Sequence, residues 1–136
     1  MNVIVPWKEE FSVNIDSFDI QHKKLVNAIN MLYDSIIKNT DDDILDQKMS
    51  NLIDNTFIHF KNEEKYFALY KYEDANAHIS EHQFFLKQVE KLQRDFRSYD
   101  QPLRKEIVIF LQKWFTGHIK KTDIKYSSLF IKSGLK

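Results

Sequence analysis

Two stretches in the middle of the chain, His59-Phe60-Lys61-Asn62-Glu63 and His78-Ile79-Ser80-Glu81-His82, each place two metal-capable side chains four residues apart. On an α-helix that spacing is about one turn, so both members of a pair project from the same face. A single pair of this kind arises by chance in any helix that carries histidine and glutamate. Two on consecutive helices, with His22 and His118 on the inward faces of two more, demand a fold in which four helices meet. The scarcity of glycine and proline, two of each in 136 residues, points the same way, because cheap tight turns are few and long helices are favoured over many short strands.

Periodicity supplies those helices in order. Met1 to Asp16 alternates poorly and contains Pro6 and Trp7, which predicts an irregular arm with Trp7, Phe11, Val13 and Ile15 along the outside of the core and room for one short extended piece. Asp16 or Ser17 is the expected cap of a first helix starting near Ser17, and Asp19 adds favourable charge at that end. Its apolar stripe reads Ile20, Leu25, Val26, Ile29, Leu32, Tyr33, Ile36, and His22 falls within it. Asn39 and Thr40 end this helix, and Asp41, Asp42 and Asp43 suit the start of the next. The second helix carries Leu45, Met49, Leu52, Thr56, His59 and Glu63 at alternating spacings of four and three. After an interruption from Leu69 to Asp74, a third resumes with Ala75, His78, His82, Phe85, Val89, Leu92 and Phe96. Ser98 to Gln101 form the next turn, with Asp100 as cap and Pro102 tolerated in the first helical turn. The fourth helix reads Leu103, Ile107, Phe110, Leu111, Trp114, His118.

Short loops make neighbouring helices antiparallel. The expected fold is therefore all-α, an up-down-up-down four-helix bundle with an irregular N-terminal arm and a short C-terminal helix, one domain spanning residues 1–136. In that topology the end of the second helix, the start of the third, the end of the fourth and the start of the first share one end of the bundle, and all five histidines lie there. Asp123 is the exception that needs a break. Five residues beyond His118 is about 500° of helix, roughly 140° off the histidine's face. Gly117 weakens the helix interior and Thr122 can cap a new short helix through Phe130, so an interruption at Lys120 to Thr122 would turn Asp123 back toward the histidines.

Composition excludes several functions. No cysteine is present, which removes disulfides, iron–sulfur clusters and thiolate sites and leaves any metal to nitrogen and oxygen donors. Twenty basic residues balance twenty acidic ones, so no overall field draws in nucleic acid or anionic lipid. No apolar run approaches the ~18 residues of a membrane span. The expectation is a cytoplasmic protein without membrane insertion, and, with no broad apolar stripe outside the core pattern, a monomer. A core of this size buries about 68–70% of the surface of the unfolded chain. Five imidazoles and two carboxylates clustered in such a core, with no cation to share them, would cost too much desolvation. Glu64 and Glu81 read as solvated neighbours, and the lysines from Lys113 to Lys125 as a solvated face near a helix end.

His22, His59-x3-Glu63, His78-x3-His82 and His118-x4-Asp123, together with Trp7, Asp19-Ile20-Gln21-His22-Lys23-Lys24-Leu25 and His118-Ile119-Lys120-x-Thr122-Asp123-x-Lys125-Tyr126, resemble the hemerythrin family over the whole chain, specifically its single-domain bacterial members. The resemblance implies a non-haem di-iron centre that binds O₂ reversibly. It implies His78, His82 and His118 on one iron, His22 and His59 on the other, Glu63 and Asp123 bridging, and an additional oxide or hydroxide bridge. O₂ would bind end-on as hydroperoxide at the two-histidine iron, with no net charge crossing into the buried core. Leu25, Phe60, Trp114, Phe115 and Ile119 are the expected lining of the O₂ pocket. The implied role is storage, transport or scavenging, not enzymatic turnover. Two alternatives from other classes are a di-iron oxidase or peroxidase, for which ferritin-like enzymes use more carboxylates and Glu-x-x-His pairs, and an O₂ or redox sensor, which a chain this short would have to serve through a separate partner.

Overall fold

The computed structural model describes residues 1–136. Four long helices, α1 (Asp16–Ile37), α2 (Asp42–Leu69), α3 (Ala75–Asp95) and α4 (Gln101–Lys121), form the bundle, and a short α5 (Ser127–Lys132) closes one end. Single 3₁₀ turns lie at Glu9–Phe11, Phe96–Ser98 and Asp123–Tyr126. Backbones pack closely between α1 and α2, α2 and α3, and α1 and α4. The α3 and α4 backbones stand further apart, and large rings span the distance, as where Phe85 stacks on Trp114 with centroids 3.9 Å apart.

The α2 seam is buried at every expected position from Leu45 to Glu63. On α4 the stripe sits further round than expected. Ile107, Val108, Leu111, Phe115, His118 and Ile119 are buried, whereas Leu103 and Phe110 are exposed because they lie about 100–120° round the helix from that stripe's centre. Ile20 is likewise exposed, about 200° from His22 on α1. Asp100 does cap α4, its Oδ1 accepting from the Leu103 N–H at 3.0 Å. Neither Asp16 nor Ser17 caps α1, whose N-cap position is Ile15 with no side-chain acceptor. Asp19 instead accepts from the Val13 N–H (2.9 Å) and the Ser12 hydroxyl (2.5 Å), so its charge fastens the arm.

That arm contains no strand and is not laid on the outside. Phe11, Val13 and Ile15 are buried, as is Val5, and Trp7 is half-buried. Buried Asn30 on α1 holds the arm's backbone, accepting from the Ile4 and Val5 N–H groups at 3.0 Å each and donating to the Val5 carbonyl at 2.8 Å. Satisfying three backbone groups in this way lets an irregular segment enter the core without orphaned donors. Two apolar clusters result. The larger runs along the bundle, and a smaller one of Val13, Ile15, Phe18, Phe67, Tyr126 and Phe130 plugs the end at which the histidines gather. No helix is long and apolar enough to cross a membrane.

Candidate metal centre

Each polar residue of the cluster is delivered by a helix end or a helix break. His22 comes from the second turn of α1, His59 and Glu63 from the later turns of α2, His78 and His82 from the first turns of α3, and His118 from the last turn of α4. Asp123 follows the end of α4. Thr122, at φ −104° and ψ −54°, ends the α-helix, and the chain tightens into the 3₁₀ turn Asp123–Tyr126. The break swings Asp123 inward, where it is fully buried. All seven side chains are at most 4% exposed.

Their atoms fall into two sets. In one, Glu63, His78, His82, His118 and Asp123 each offer a donor within 4.8 Å of the others; in the second, His22, His59, Glu63 and Asp123 do the same. The two carboxylates belong to both. Asp123 Oδ1 is 2.9 Å from the Nε2 atoms of both His78 and His118, while Oδ2 is 3.1 Å from His22 Nε2. Glu63 Oε1 is 3.3 Å from His59 Nε2 and 3.2 Å from His82 Nε2. Within the sets, the Nε2 atoms of His22 and His59 approach to 3.0 Å and those of His78 and His118 to 3.1 Å.

Those separations fit donors around a cation. Two nitrogens at about 2.0–2.1 Å from one ion and at right angles to each other are about 3 Å apart. Hydrogen bonding alone does not account for the cluster, since both oxygens of Glu63, both of Asp123 and Nε2 of His82 are buried without a hydrogen-bond partner. Orphaned carboxylate oxygens in an apolar core are costly unless a positive charge faces them.

Protonation states show the same tension. Burial pushes Glu63 above the usual carboxylate range, and the neighbouring Asp123 charge adds to the shift. Burial also lowers His59, and it takes His82, which His78 also opposes, down to about 3. For His118 burial acts downward, but the Asp123 carboxylate and the bond to Glu81 outweigh it and raise the imidazole to about 10. Burial of Asp123 acts upward and loses to the His118 charge, which holds the carboxyl well below its ordinary value. One ion pair, His118 with Asp123, thus stands in for the charge that a cation would otherwise supply.

A second tier of residues escaped sequence reasoning. Gln21 Oε1 meets His59 Nδ1 at 2.5 Å, Glu64 Oε2 meets His82 Nδ1 at 2.9 Å, and Glu81 Oε1 meets His118 Nδ1 at 3.2 Å. Glu64 and Glu81 are therefore not merely solvated neighbours. Each accepts the outer N–H of an imidazole and so orients the ring with Nε2 inward, where a neutral ring has its lone pair and His118 must first give up its proton. The available signal was position, because Gln21, Glu64 and Glu81 each adjoin a cluster residue in sequence, about 100° round its helix. Tyr126 was also missed as a wall of the site. It is fully buried, stacks beside His78 with centroids 5.8 Å apart, and burial together with the Glu63 charge raises its phenol well above the ordinary value.

Of the five apolar residues expected around the site, Leu25, Phe60, Phe115 and Ile119 are buried and Trp114 is half-buried. Phe60 stacks on His82 at 3.7 Å between centroids and Trp114 on His118 at 4.6 Å, both on the three-histidine side. Phe115 meets His22 edge-on at 6.2 Å, on the two-histidine side.

A four-helix bundle carrying a buried His/Glu/Asp cluster at one end defines a class of cation-binding domain. Residues 13–129 match the family model described as the hemerythrin HHE cation binding domain, and the chain belongs to the hemerythrin family. It is 32% identical over 124 residues to a bacteriohemerythrin of Clostridium acetobutylicum, covering 88% of this chain and 96% of that one. Against a bacteriohemerythrin of Methylococcus capsulatus the identity is 30% over 117 residues, covering 86% and 88% respectively. Myohemerythrin-1 of Phascolopsis gouldii is 31% identical over 121 residues, covering 88% and 89%. A crystal structure of wild-type hemerythrin superposes with a TM-score of 0.83 at 27% identity, covering 93% of this chain and 98% of that chain.

Proposed function

We propose that this protein binds O₂ reversibly, for storage, transport or scavenging, at a pair of iron ions held by the seven-residue cluster. His78, His82 and His118 would hold one iron and His22 and His59 the other, with Glu63 and Asp123 common to both. The observation that carries this reading is the division of the donors into a set of five and a set of four that share only the two carboxylates. A di-iron pair held there would supply reversible two-electron chemistry toward O₂. Family membership supports the choice of iron. Donor type alone would not, because nitrogen and oxygen sites generally bind zinc and copper more tightly than ferrous iron.

The chain's own residues account for the rest of the behaviour. Two carboxylates offset part of the metal charge in a region where an uncompensated ion would cost several kcal/mol. Gln21, Glu64 and Glu81 hold the outer nitrogens of three imidazoles, so that Nε2 of each would face the metals. The His22–His59 set has one protein donor fewer, so an ion held there would have room for O₂ on that side. Phe115, edge-on to His22, and the buried Leu25 and Ile119 would limit water there, with Phe60 and Trp114 against His82 and His118, so that O₂ could depart as it came. The predominance of histidine over carboxylate favours a carrier over an oxidase, whose sites are richer in carboxylate.

Anaerobic loading with Fe(II) should give two irons per chain. Mixing with O₂ should give an absorbing adduct that reverts to the diferrous spectrum under vacuum. Uptake of fewer than two irons, or O₂ consumption without recovery of the starting spectrum, would overturn the reading.

A further inference from the structure

We propose that Glu81 is a positioning residue: by accepting from both His118 and Thr122, its carboxylate holds the break after α4 in the shape that aims Asp123 at the other donors. This rests on reading the cluster as a metal centre and adds to it a residue outside the proposed ligand set. The His118 Nδ1–H points to Glu81 Oε1 at 3.2 Å, and the Thr122 hydroxyl donates to the same oxygen at 3.0 Å and to Oε2 at 3.3 Å. His118 and Thr122 are four residues apart, so both present themselves on one face of the last turn of α4. The other ring nitrogen of His118 is 2.9 Å from Asp123 Oδ1. The contacts therefore close into a loop, from Glu81 through the His118 ring to Asp123, back along one peptide bond to Thr122, and so to Glu81.

The corner has other ties, since the Asp123 carboxylate lies against His22 and His78 and the Ser127 hydroxyl donates to the Val13 carbonyl, but none of these reaches Thr122. Continued as an α-helix, the chain would turn Asp123 roughly 140° away from the histidine face. Around the break, the Thr122 N–H bonds the His118 carbonyl at 2.8 Å and the Lys125 N–H the Thr122 carbonyl at 3.2 Å. Gly117, one turn before, contributes no side chain. Because the α3 and α4 backbones stand apart in this bundle, a side chain reaching from α3 supplies the tie that close helix packing does not. The Glu81 side chain is 45% exposed, and an exposed pair of this kind contributes little to overall stability. Its removal should therefore be felt at the site more than in the fold.

The test compares wild type with Glu81→Ala, Glu81→Gln and Thr122→Val. Three quantities are measured: anaerobic Fe(II) affinity by chelator competition, the melting temperature of the metal-free protein, and hydrogen exchange of the amides from Asp123 to Tyr126 in the metal-free protein. Glu81→Ala and Thr122→Val should each weaken metal binding by about 10–100-fold, speed exchange at those amides, and move the melting temperature by no more than about 4 °C. Glu81→Gln keeps a carbonyl able to accept from both donors and should restore most of the affinity and the slow exchange. Wild-type affinity in the alanine and valine variants, or a glutamine variant as weak as alanine, would overturn the proposal. Unchanged exchange in Glu81→Ala would overturn it whatever the wild type binds, whereas wild type taking up fewer than two ions with exchange altered as expected would sink the di-iron reading and leave the positioning role standing.

Discussion

Metal uptake by the metal-free protein should expel protons, in a number that follows from the cluster's geometry. At about pH 7.5 an imidazole held up to about 10 by Asp123 and Glu81 carries its proton, so His118 must lose one before Nε2 can face a cation. Glu63 is moved in the same direction by burial and by Asp123. His82, taken down to about 3 by burial, contributes none. The expected release is thus at least one proton per chain. Because protons and metal compete for the same atoms, apparent affinity should rise with pH, by about tenfold per unit for each proton displaced, and level off as His118 passes its raised value. Calorimetric titration with Fe(II), under anaerobic conditions and in buffers of differing ionisation enthalpy, gives the number directly as the slope of observed heat against buffer heat. A slope of zero, or affinity unchanged over about pH 6.5 to 8.5, would refute the reasoning.

Two further outcomes follow from the same packing. Without metal, His118 keeps a proton in the fold that the unfolded chain gives up near its ordinary value of 6.5, so its stabilising contribution is complete below that pH and is lost as pH rises through about 10. Glu63, also raised, acts in the same direction over its own range, and denaturant midpoints of the metal-free protein should fall from about pH 6.5 to 9.5 while a flat or rising trend would contradict the assignment. Phe60→Ala removes a fully buried ring stacked on His82 and should cost ~3–5 kcal/mol in urea unfolding, with a loss below about 1.5 kcal/mol showing that the ring does not support the cluster.

Much of the fold was legible in the sequence. The α2 seam, the Asp100 cap and the interruption before Asp123 could be read from spacing and residue type alone, because helix geometry makes every third or fourth residue a neighbour whatever surrounds it. Reading failed where a tertiary partner decided the outcome. Asp19 looked like a helix-end charge and is an anchor for the arm; Phe110 continued an apolar spacing and faces outward, since the stripe on α4 is set by where α1 lies. The buried arm was read as superficial because its burial depends on Asn30, a residue from another segment that satisfies its backbone.

The sequence by itself determined which side chains share each helical face, because that is a property of a few consecutive residues and the pitch of the helix. It also determined that the helices alternate in direction, since short connections permit little else. Only the tertiary structure decided how the donors divide between two overlapping sets, which carboxylate oxygen faces which imidazole, and that Gln21, Glu64 and Glu81 hold the outer nitrogens of three rings. Those facts depend on distances between residues some twenty to a hundred positions apart, and only the packing of whole helices against one another sets them.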